Sequence, residues 1–536
     1  MDKSFSPRRR QVLKAMAVSS VFAPILLDGI IRNSFAQDMT GMTDMPQTSG
    51  KPVATKNAGI FTRPLFIPSV LAGTLLPSGV RHYRLRMATG EHDLLAGVRT
   101  ATWGYNGSYL GPTIRIARQE PVHIHLENAL DQSTTTHWHG AHVSGDMDGG
   151  PQLLIDPGDH YDYHFALEQP AATLWYHPHP NTRAGPHVYG GLAGLLLVDD
   201  GVDEELGLPH TYGVDDIPVI IQDRRFHPNG QLAYMTRAGD VMGMKGDHIL
   251  VNGREQPYCS VPAQWVRFRI LNASNARVYN LEFNDRRDFY VVASDAGFLA
   301  APVSTKQFLI APAERIEILV NLTHDLGRNM VLQSNSRAVV PLLSSNPMDS
   351  DALDHSAFDL LQLRVGAATG RPGRLPDKLV EIPRLQADGT HRRFTLQNMV
   401  AGAMAMPAVL RNGPGGMSMG IGGKKLFSIN HEFMDMHTIN FPIRRGSTEI
   451  WEVINQSHMA HPFHYHSTSF QILSRNGVPP PDYERGWKDT VLVRRGEHVR
   501  LVAPFHQPAG IHHPYMYHCH ILEHEDNGMM GQFTVS

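Results

Sequence analysis

From Phe61 onward the chain reads as short runs of alternating apolar and polar positions, broken by Gly, Pro, Asn and Asp. A period of two marks strands with one buried face, and few stretches carry the 3.6-residue period of an amphipathic helix. One run recurs three times: Val122-His123-Ile124-His125-Leu126-Glu127-Asn128, Val266-Arg267-Phe268-Arg269-Ile270-Leu271-Asn272 and Thr448-Glu449-Ile450-Trp451-Glu452-Val453-Ile454-Asn455. Each alternates and ends on asparagine. A second strand follows each copy, at 161–165, 315–320 and 498–502. Three copies of one strand pair predict an all-β chain of three related β-sandwich domains. The acidic stretch 199–205 and the Pro/Gly-rich stretch 366–376 set boundaries at 58–205, 206–375 and 376–536. In the first copy, Val122, Ile124 and Leu126 take the apolar face. His123 and His125 therefore fall on the polar face, matched by Arg267 and Arg269, and read as surface residues rather than ligands.

The first 36 residues do not share this pattern. Arg8-Arg9-Arg10 precedes a mostly apolar run, 15–27, and then Ser34-Phe35-Ala36. That order predicts a cleaved twin-arginine signal, export by the twin-arginine machinery and a periplasmic location. The run is too short for a membrane anchor and is broken by Pro24. No later segment approaches 18 apolar residues, so the mature protein is expected to be soluble. Residues 37–57, with Met39, Met42 and Met45, predict a disordered linker. The 536 residues are 42% hydrophobic and 18% charged, with a net charge of −3. This suits a large folded core and excludes a strongly basic nucleic-acid surface. A monomer is expected. The only cysteines are Cys259 and Cys519, and Cys259 reads as a small buried hydrophobe.

The distinctive chemistry is near the C-terminus, in His518-Cys519-His520-Ile521-Leu522-Glu523-His524-Glu525-Asp526-Asn527-Gly528-Met529-Met530. Thiolate and thioether are soft donors, and a His2Cys site with a weak axial Met is the donor set of a blue copper centre. Structural zinc usually gathers several cysteines, and only one is present here. Cys519, His524 and Met529 supply three of the four ligands. On an extended strand His518 and His520 point away from Cys519, towards a second site.

Three further H-x-H pairs share that arrangement: His137/His139, His177/His179 and His464/His466. With His518/His520 they place eight imidazoles in four same-face pairs, enough for a cluster of several metals. His461 has the opposite parity to His464 and His466, so it completes the Cys519 site. The pairs lie in the first and third repeats and none in the second. This places the cluster between domains one and three, with domain two as a copper-free spacer.

Four runs, His137-Trp138-His139-Gly140, Trp175-Tyr176-His177-Pro178-His179, His461-Pro462-Phe463-His464-Tyr465-His466 and the 518–529 segment, together resemble the four copper motifs of the multicopper oxidases. The likeness spans essentially the whole chain after the signal and is nearest to the bacterial copper-efflux oxidases. The segment Asp148-Gly149-Gly150-Pro151-Gln152 and the ending HEDNGMM add to it. The resemblance implies three cupredoxin-like Greek-key β-sandwich domains and four copper ions. By motif, His461, Cys519, His524 and Met529 take the type 1 ion. His137 and His464 take the type 2 ion, and His139, His177, His179, His466, His518 and His520 take a type 3 pair. Single electrons enter at the type 1 site and pass through Cys519, and O2 is reduced to water. Asp148 and Glu525 are placed to supply protons.

The electron donor is less defined by sequence. Methionines crowd residues 399–436, including Met404, Met406, Met417 and Met419, among glycines that predict a mobile loop. Soft thioethers favour Cu(I). Met348, with Asp351 or Asp354, and Met459 fall near where copper-efflux oxidases bind substrate Cu(I). Ser457 stands where that subfamily has an acidic residue. Met434 and Met436 read as packing residues. Three functions are open at this stage: a cuprous oxidase of periplasmic copper tolerance, a laccase of phenols or aromatic amines, and a copper-free structural relative. The complete ligand set argues against the third.

Overall fold

The computed structural model describes residues 61–345, 351–370, 373–398 and 426–536. The signal, the 37–57 linker, Met348 and the loop methionines Met404, Met406, Met417 and Met419 lie outside the described residues. Among the described residues six sheets form, and none mixes strands from different repeats. Two five-stranded sheets use strands between Val70–Leu71 and Gly194–Asp199. A seven- and a five-stranded sheet use those between Asp216–Arg224 and Ala357–Gly366. Two further five-stranded sheets use those between His391–Asn398 and Met530–Val535. Each pair encloses one apolar core, the third built around Trp451 with Phe394, Tyr465, Phe505 and Phe533. Cys259 is buried in the second core. Among the described residues no helix is long and apolar enough to cross a membrane.

The repeated strands occupy matching places. Val122–Ala129, Trp265–Asn272 and Thr448–Asn455 each pair antiparallel with the strand that follows in the repeat: His160–Phe165, Arg315–Asn321 and His498–Pro504. Each also pairs parallel with an earlier strand, Arg81–His92, Asp216–Arg224 and His391–Asn398. The terminal asparagine does one job three times. Asn128 Oδ1 accepts the Leu130 amide, Asn272 Oδ1 that of Ser274, and Asn455 Oδ1 that of Ser457. Each Nδ2 donates to two backbone carbonyls, those of Gln132 and Ile155, Arg277 and Ile310, and Met459 and Val493. Short polar side chains that cap their own turn end a strand in this way. Beyond that corner the chain enters the second sheet, where the H-x-H pairs sit.

The polar faces of the copies diverge. Arg267 and Arg269 are buried, bound to Asp203, Asp216 and Glu317. Glu317 and Arg269 also meet Thr173, which joins the second sandwich to the first. A buried guanidinium needs such partners to offset its desolvation. The face that carries His123 and His125 stays half-exposed.

Candidate metal centre

Strand pairing converts the parity of the sequence into two clusters. His461–Tyr465 runs antiparallel to Tyr515–Cys519, with Phe463 opposite Cys519 and His464 opposite His518. Directly opposed residues point to one face, so His461 and Cys519 share a face, and His464 and His518 share the other. In the first sandwich His137–His139 pairs with Ala172–His177, with His137 opposite His177.

The smaller cluster holds His461, Cys519 and His524, all buried. His461 Nδ1 lies 3.4 Å and His524 Nδ1 3.5 Å from Cys519 Sγ, and the two nitrogens are 3.2 Å apart. Met529 is buried in the same apolar cluster, and its carbonyl accepts the Cys519 amide. Phe427 stacks on His524 at 3.6 Å. Burial drives the His461 imidazole down to about 3 and His524 well below its ordinary value, so both rings are neutral donors. Burial likewise pushes the Cys519 thiol well up; a coordinated cation would remove that proton.

The larger cluster brings the eight paired imidazoles together from the first and third sandwiches, each nearly or fully buried. Two stacks cross the interface at 3.8 Å, His137 on His466 and His139 on His464. The Nε2 atom of His518 lies 3.2 Å from that of His179 and 3.4 Å from that of His466. His139 Nδ1 lies 3.4 Å from His177 Nε2, and the His520 ring is 5.1 and 5.2 Å from those two rings. His137 Nε2, His464 Nε2 and both His520 nitrogens have no hydrogen-bond partner among the described residues. Orphaned buried nitrogens are costly unless something fills the space between them. Burial, reinforced by neighbouring imidazoles, holds His139, His177, His464, His466 and His520 well below the ordinary histidine value. A dense set of imidazole nitrogens brought this close together fits several cations.

Outer hydrogen bonds fix which nitrogen of several rings faces the cluster. Two aspartates do this reciprocally. The Asp148 carbonyl accepts from His137 Nδ1 at 2.8 Å, while its carboxylate reaches across to His466 Nδ1 at 2.6 Å. The Asp489 carbonyl accepts from His464 Nδ1 at 2.7 Å, while its carboxylate reaches back to His139 Nε2 at 3.1 Å. Each aspartate therefore aims one ring of its own sandwich and one of the other. Glu525, also buried, approaches His518 Nδ1 at 3.1 Å and His179 Nδ1 at 3.4 Å. Two glycines leave room for this shell. Gly149, with φ of +78°, packs so closely on Thr136 that a Cβ would stand 1.8 Å from its carbonyl oxygen. A Cβ on Gly140, of the His-Trp-His-Gly run, would stand 2.6 Å from Asp489 Oδ2.

The multicopper oxidase family profiles match residues 86–203, 221–350 and 408–536. The multicopper oxidase mco of Staphylococcus haemolyticus is 33% identical over 476 residues, 88% of this chain and 92% of that protein. The chain belongs to the multicopper oxidase family. It is an oxidoreductase with copper cofactors, built from cupredoxin-like β-sandwiches. Among solved structures it is similar to the laccase-like multicopper oxidase CueO from Ochrobactrum sp., which has oxidase activity towards lignin model compounds. That likeness has a TM-score of 0.76 at 35% identity, and covers 88% of this chain and all of that one. The multicopper oxidase of Pediococcus acidilactici matches with a TM-score of 0.77 at 34% identity, covering 92% and 95%. The cell division protein FtsP of Escherichia coli is also a relative, 36% identical over 82% of this chain and 86% of its own. Names within the family thus span more than one role, and the donor set has to speak for this chain.

Several residues of this multicopper oxidase were invisible in its sequence. Asp489 stands 25 positions from His464, and only the pairing of His461–Tyr465 with Thr490–Val493 delivers it. Arg315, from the second sandwich, grips the Asp489 carboxylate with both terminal nitrogens, at 2.7 and 2.5 Å. The spacer domain holds no cluster imidazole, yet it braces the carboxylate that aims two of them. It also supplies Met242, whose carbonyl lies 3.3 Å from His524 Nε2. Met242, Lys245, Asp354 and Met459 line one cleft beside the Cys519 site. Asp354 is bound by Lys245 at 2.7 Å and Arg277 at 2.8 Å, and Asp351 by Arg277 at 2.5 Å. Ser457 Oγ lies 2.7 Å from His461 Nε2. Met434 packs with Met516, Met530 and Met436 in a sulfur-rich core.

Proposed function

We propose that this multicopper oxidase couples the one-electron oxidation of Cu(I), and of phenols or aromatic amines, to the four-electron reduction of O2 to water in periplasmic copper tolerance. Four copper ions, one type 1, one type 2 and a type 3 pair, would supply the one-electron exchange and the O2 chemistry. His461, Cys519, His524 and Met529 would hold the type 1 ion. His137 and His464, each with Nδ1 tied to a backbone carbonyl, would offer Nε2 to the type 2 ion. His179, His466 and His518 would face one type 3 ion, and His139, His177 and His520 the other. Cys519 sits between His518 and His520 in the chain, so a few covalent bonds join the two clusters. Asp148 and Glu525, buried against His466, His518 and His179, would hold and pass protons at the cavity edge. Asp148 Oδ1 has no hydrogen bond among the described residues and lies 3.5 Å from His137 Nδ1, so it would accept one. Export by the twin-arginine route rests on the N-terminal pattern alone.

The observation that carries the Cu(I) reading is the cleft beside His524. Met242, Met459 and Asp354 line it together with Ala460 and Ile521, the chain neighbours of His461 and of the 518–520 segment, and the Met242 carbonyl reaches His524. Soft sulfur favours Cu(I) over Cu(II), which lets the substrate bind and the product leave. Met404, Met406, Met417 and Met419 would add further soft donors for Cu(I). One observation favours the phenol reading: Asp351 and Asp354 are already neutralised by Arg277 and Lys245, and Ser457 brings no charge. O2 uptake with Cu(I) and with a phenol, in wild type and in Met242→Leu/Met459→Leu, separates the two. The Cu(I) rate should fall at least about tenfold and the phenol rate stay level. Equal losses, or an unaffected Cu(I) rate, would favour the laccase.

A further inference from the structure

The first sandwich turns one sheet face outward, and that face is crowded with imidazoles. His82, His123 and His164 stand in register across three strands, with Arg84, His125 and Asp162 in the next row. His160 follows opposite Glu127, and Glu127 is paired with Arg86. The matching face of the second sandwich is consumed by buried salt bridges among Arg267, Arg269, Asp216 and Glu317, with Asp203 reaching in from the first. Here the histidines remain half-exposed or exposed.

The hydrogen bonds show which nitrogens remain free. His123 Nε2 and His125 Nδ1 both lie 2.8 Å from Asp162 Oδ1. An ionised carboxylate only accepts, so both nitrogens carry protons. In the neutral rings this leaves His123 Nδ1 and His125 Nε2 as lone pairs. His123 Nδ1 is 3.1 Å from His82 Nδ1, which donates to it. His125 offers an ion either Nε2 or, once the ion displaces its proton, Nδ1, the nitrogen already beside the carboxylate. Asp162 Oδ2 lies 3.6 Å from His160 Nε2. One donor atom from each of His125, His160 and Asp162 lies within 4.8 Å of the others. Bonds of about 2.0 Å at right angles in a tetragonal Cu(II) site put neighbouring donors about 2.8 Å apart, so the half-exposed His125 ring and the exposed His160 ring swing inward on the carboxylate to close the site. Partial burial alone would raise the Asp162 carboxyl, but hydrogen bonds from His123 and His125 outweigh it and hold the group down at about 2. The carboxylate is therefore anionic and already aimed by imidazoles, as outer partners aim metal ligands.

We propose that His125, His160 and Asp162 form an exchangeable site for a divalent transition-metal ion, Cu(II) in preference to Zn(II), on the outer face of the first sandwich, with His123 and His82 bracing Asp162. Two imidazoles and one carboxylate, completed by water, suit either ion, and the order of stability places Cu(II) above Zn(II). The site stands apart from the oxidase clusters and does not depend on which electron donor the enzyme uses.

The test adds copper(II) chloride to the copper-loaded enzyme and reads equilibrium dialysis together with electron paramagnetic resonance. Wild type should bind one Cu(II) per chain beyond its resident set, with nitrogen splitting in the signal, released by a mild chelator. His125→Ala/His160→Ala, on an exposed face, should lose that ion while keeping the blue absorption and phenol turnover. His164→Ala should keep it, because His164 only stacks on His123 at 4.2 Å. Zinc chloride should displace the added copper only in large excess. Equal uptake by wild type and the double variant, or equal loss in His164→Ala, would overturn the assignment.

Discussion

Asp489→Asn tests the reciprocal clamp, because it preserves shape and removes charge. Asp489 and Arg315 are both fully buried, and two hydrogen bonds join them. The Arg315 guanidinium has other acceptors, the carbonyls of Thr173, Ala313 and Asp295, but among the described residues Asp489 is the carboxylate bonded to it. Stranding a buried charge costs about 3–5 kcal/mol. The amide also weakens the hold on His139 Nε2, and lost outer-shell partners lower metal affinity about 10–100-fold. The variant should unfold at lower denaturant and lose cluster copper during dialysis. It should keep its blue absorption, because His461 and Cys519 occupy the other faces of their strands and His524 sits on the turn of helix that follows, Leu522–Asp526. The double variant Asp489→Asn/Arg315→Met separates the two costs. Stability should recover only in part, since no charge is stranded but the Thr173, Ala313 and Asp295 carbonyls lose their donor, while copper retention should not. Urea unfolding and copper content per chain are the assays. A single variant with wild-type stability and copper, or a double variant that recovers both, would refute the clamp.

Cys519→Ser should be colourless and inactive yet still retain cluster copper through the eight imidazoles; persistent blue absorption would contradict the assignment. His464→Ala should stay blue and fail to consume O2, and loss of the blue band with an intact type 2 resonance would reverse the parity argument. The copper-free protein should lose stability on acidification. Buried His179 titrates at about 4 and His461 at about 3, against an ordinary value near 6.5 in the unfolded chain. The unfolded state therefore binds protons first, and stability drops as pH falls from about 6.5 towards 4, by about 1.4 kcal/mol per pH unit for each such ring. Copper loading should flatten that profile in thermal unfolding; superimposable profiles would count against buried neutral ligands.

What the sequence made legible was local. Alternation and the repeated terminal asparagine revealed three sandwiches, because each copy uses the same strand and the same asparagine-capped corner. Parity sorted His461 from His464 because a strand presents neighbouring residues on opposite faces. Asp489, Arg315 and Met242 were hidden because they arrive by pairing between distant strands or from another domain, and no spacing rule connects them to a ligand. His123 and His125 read as an ordinary polar face. Their meeting with Asp162 and His160 depends on the register with the following strand, which sets them side by side.

The central claim is that single electrons gathered beside Cys519 are spent four at a time on O2. Oxygen uptake should be recorded with a calibrated electrode while Cu(I) oxidation is followed in the same cell, with peroxide assayed at the end point. Four Cu(I) ions oxidised for each O2 consumed, without peroxide, is the result the two joined clusters predict. Two per O2 with peroxide accumulating, or no oxygen uptake by the copper-loaded enzyme, would contradict it.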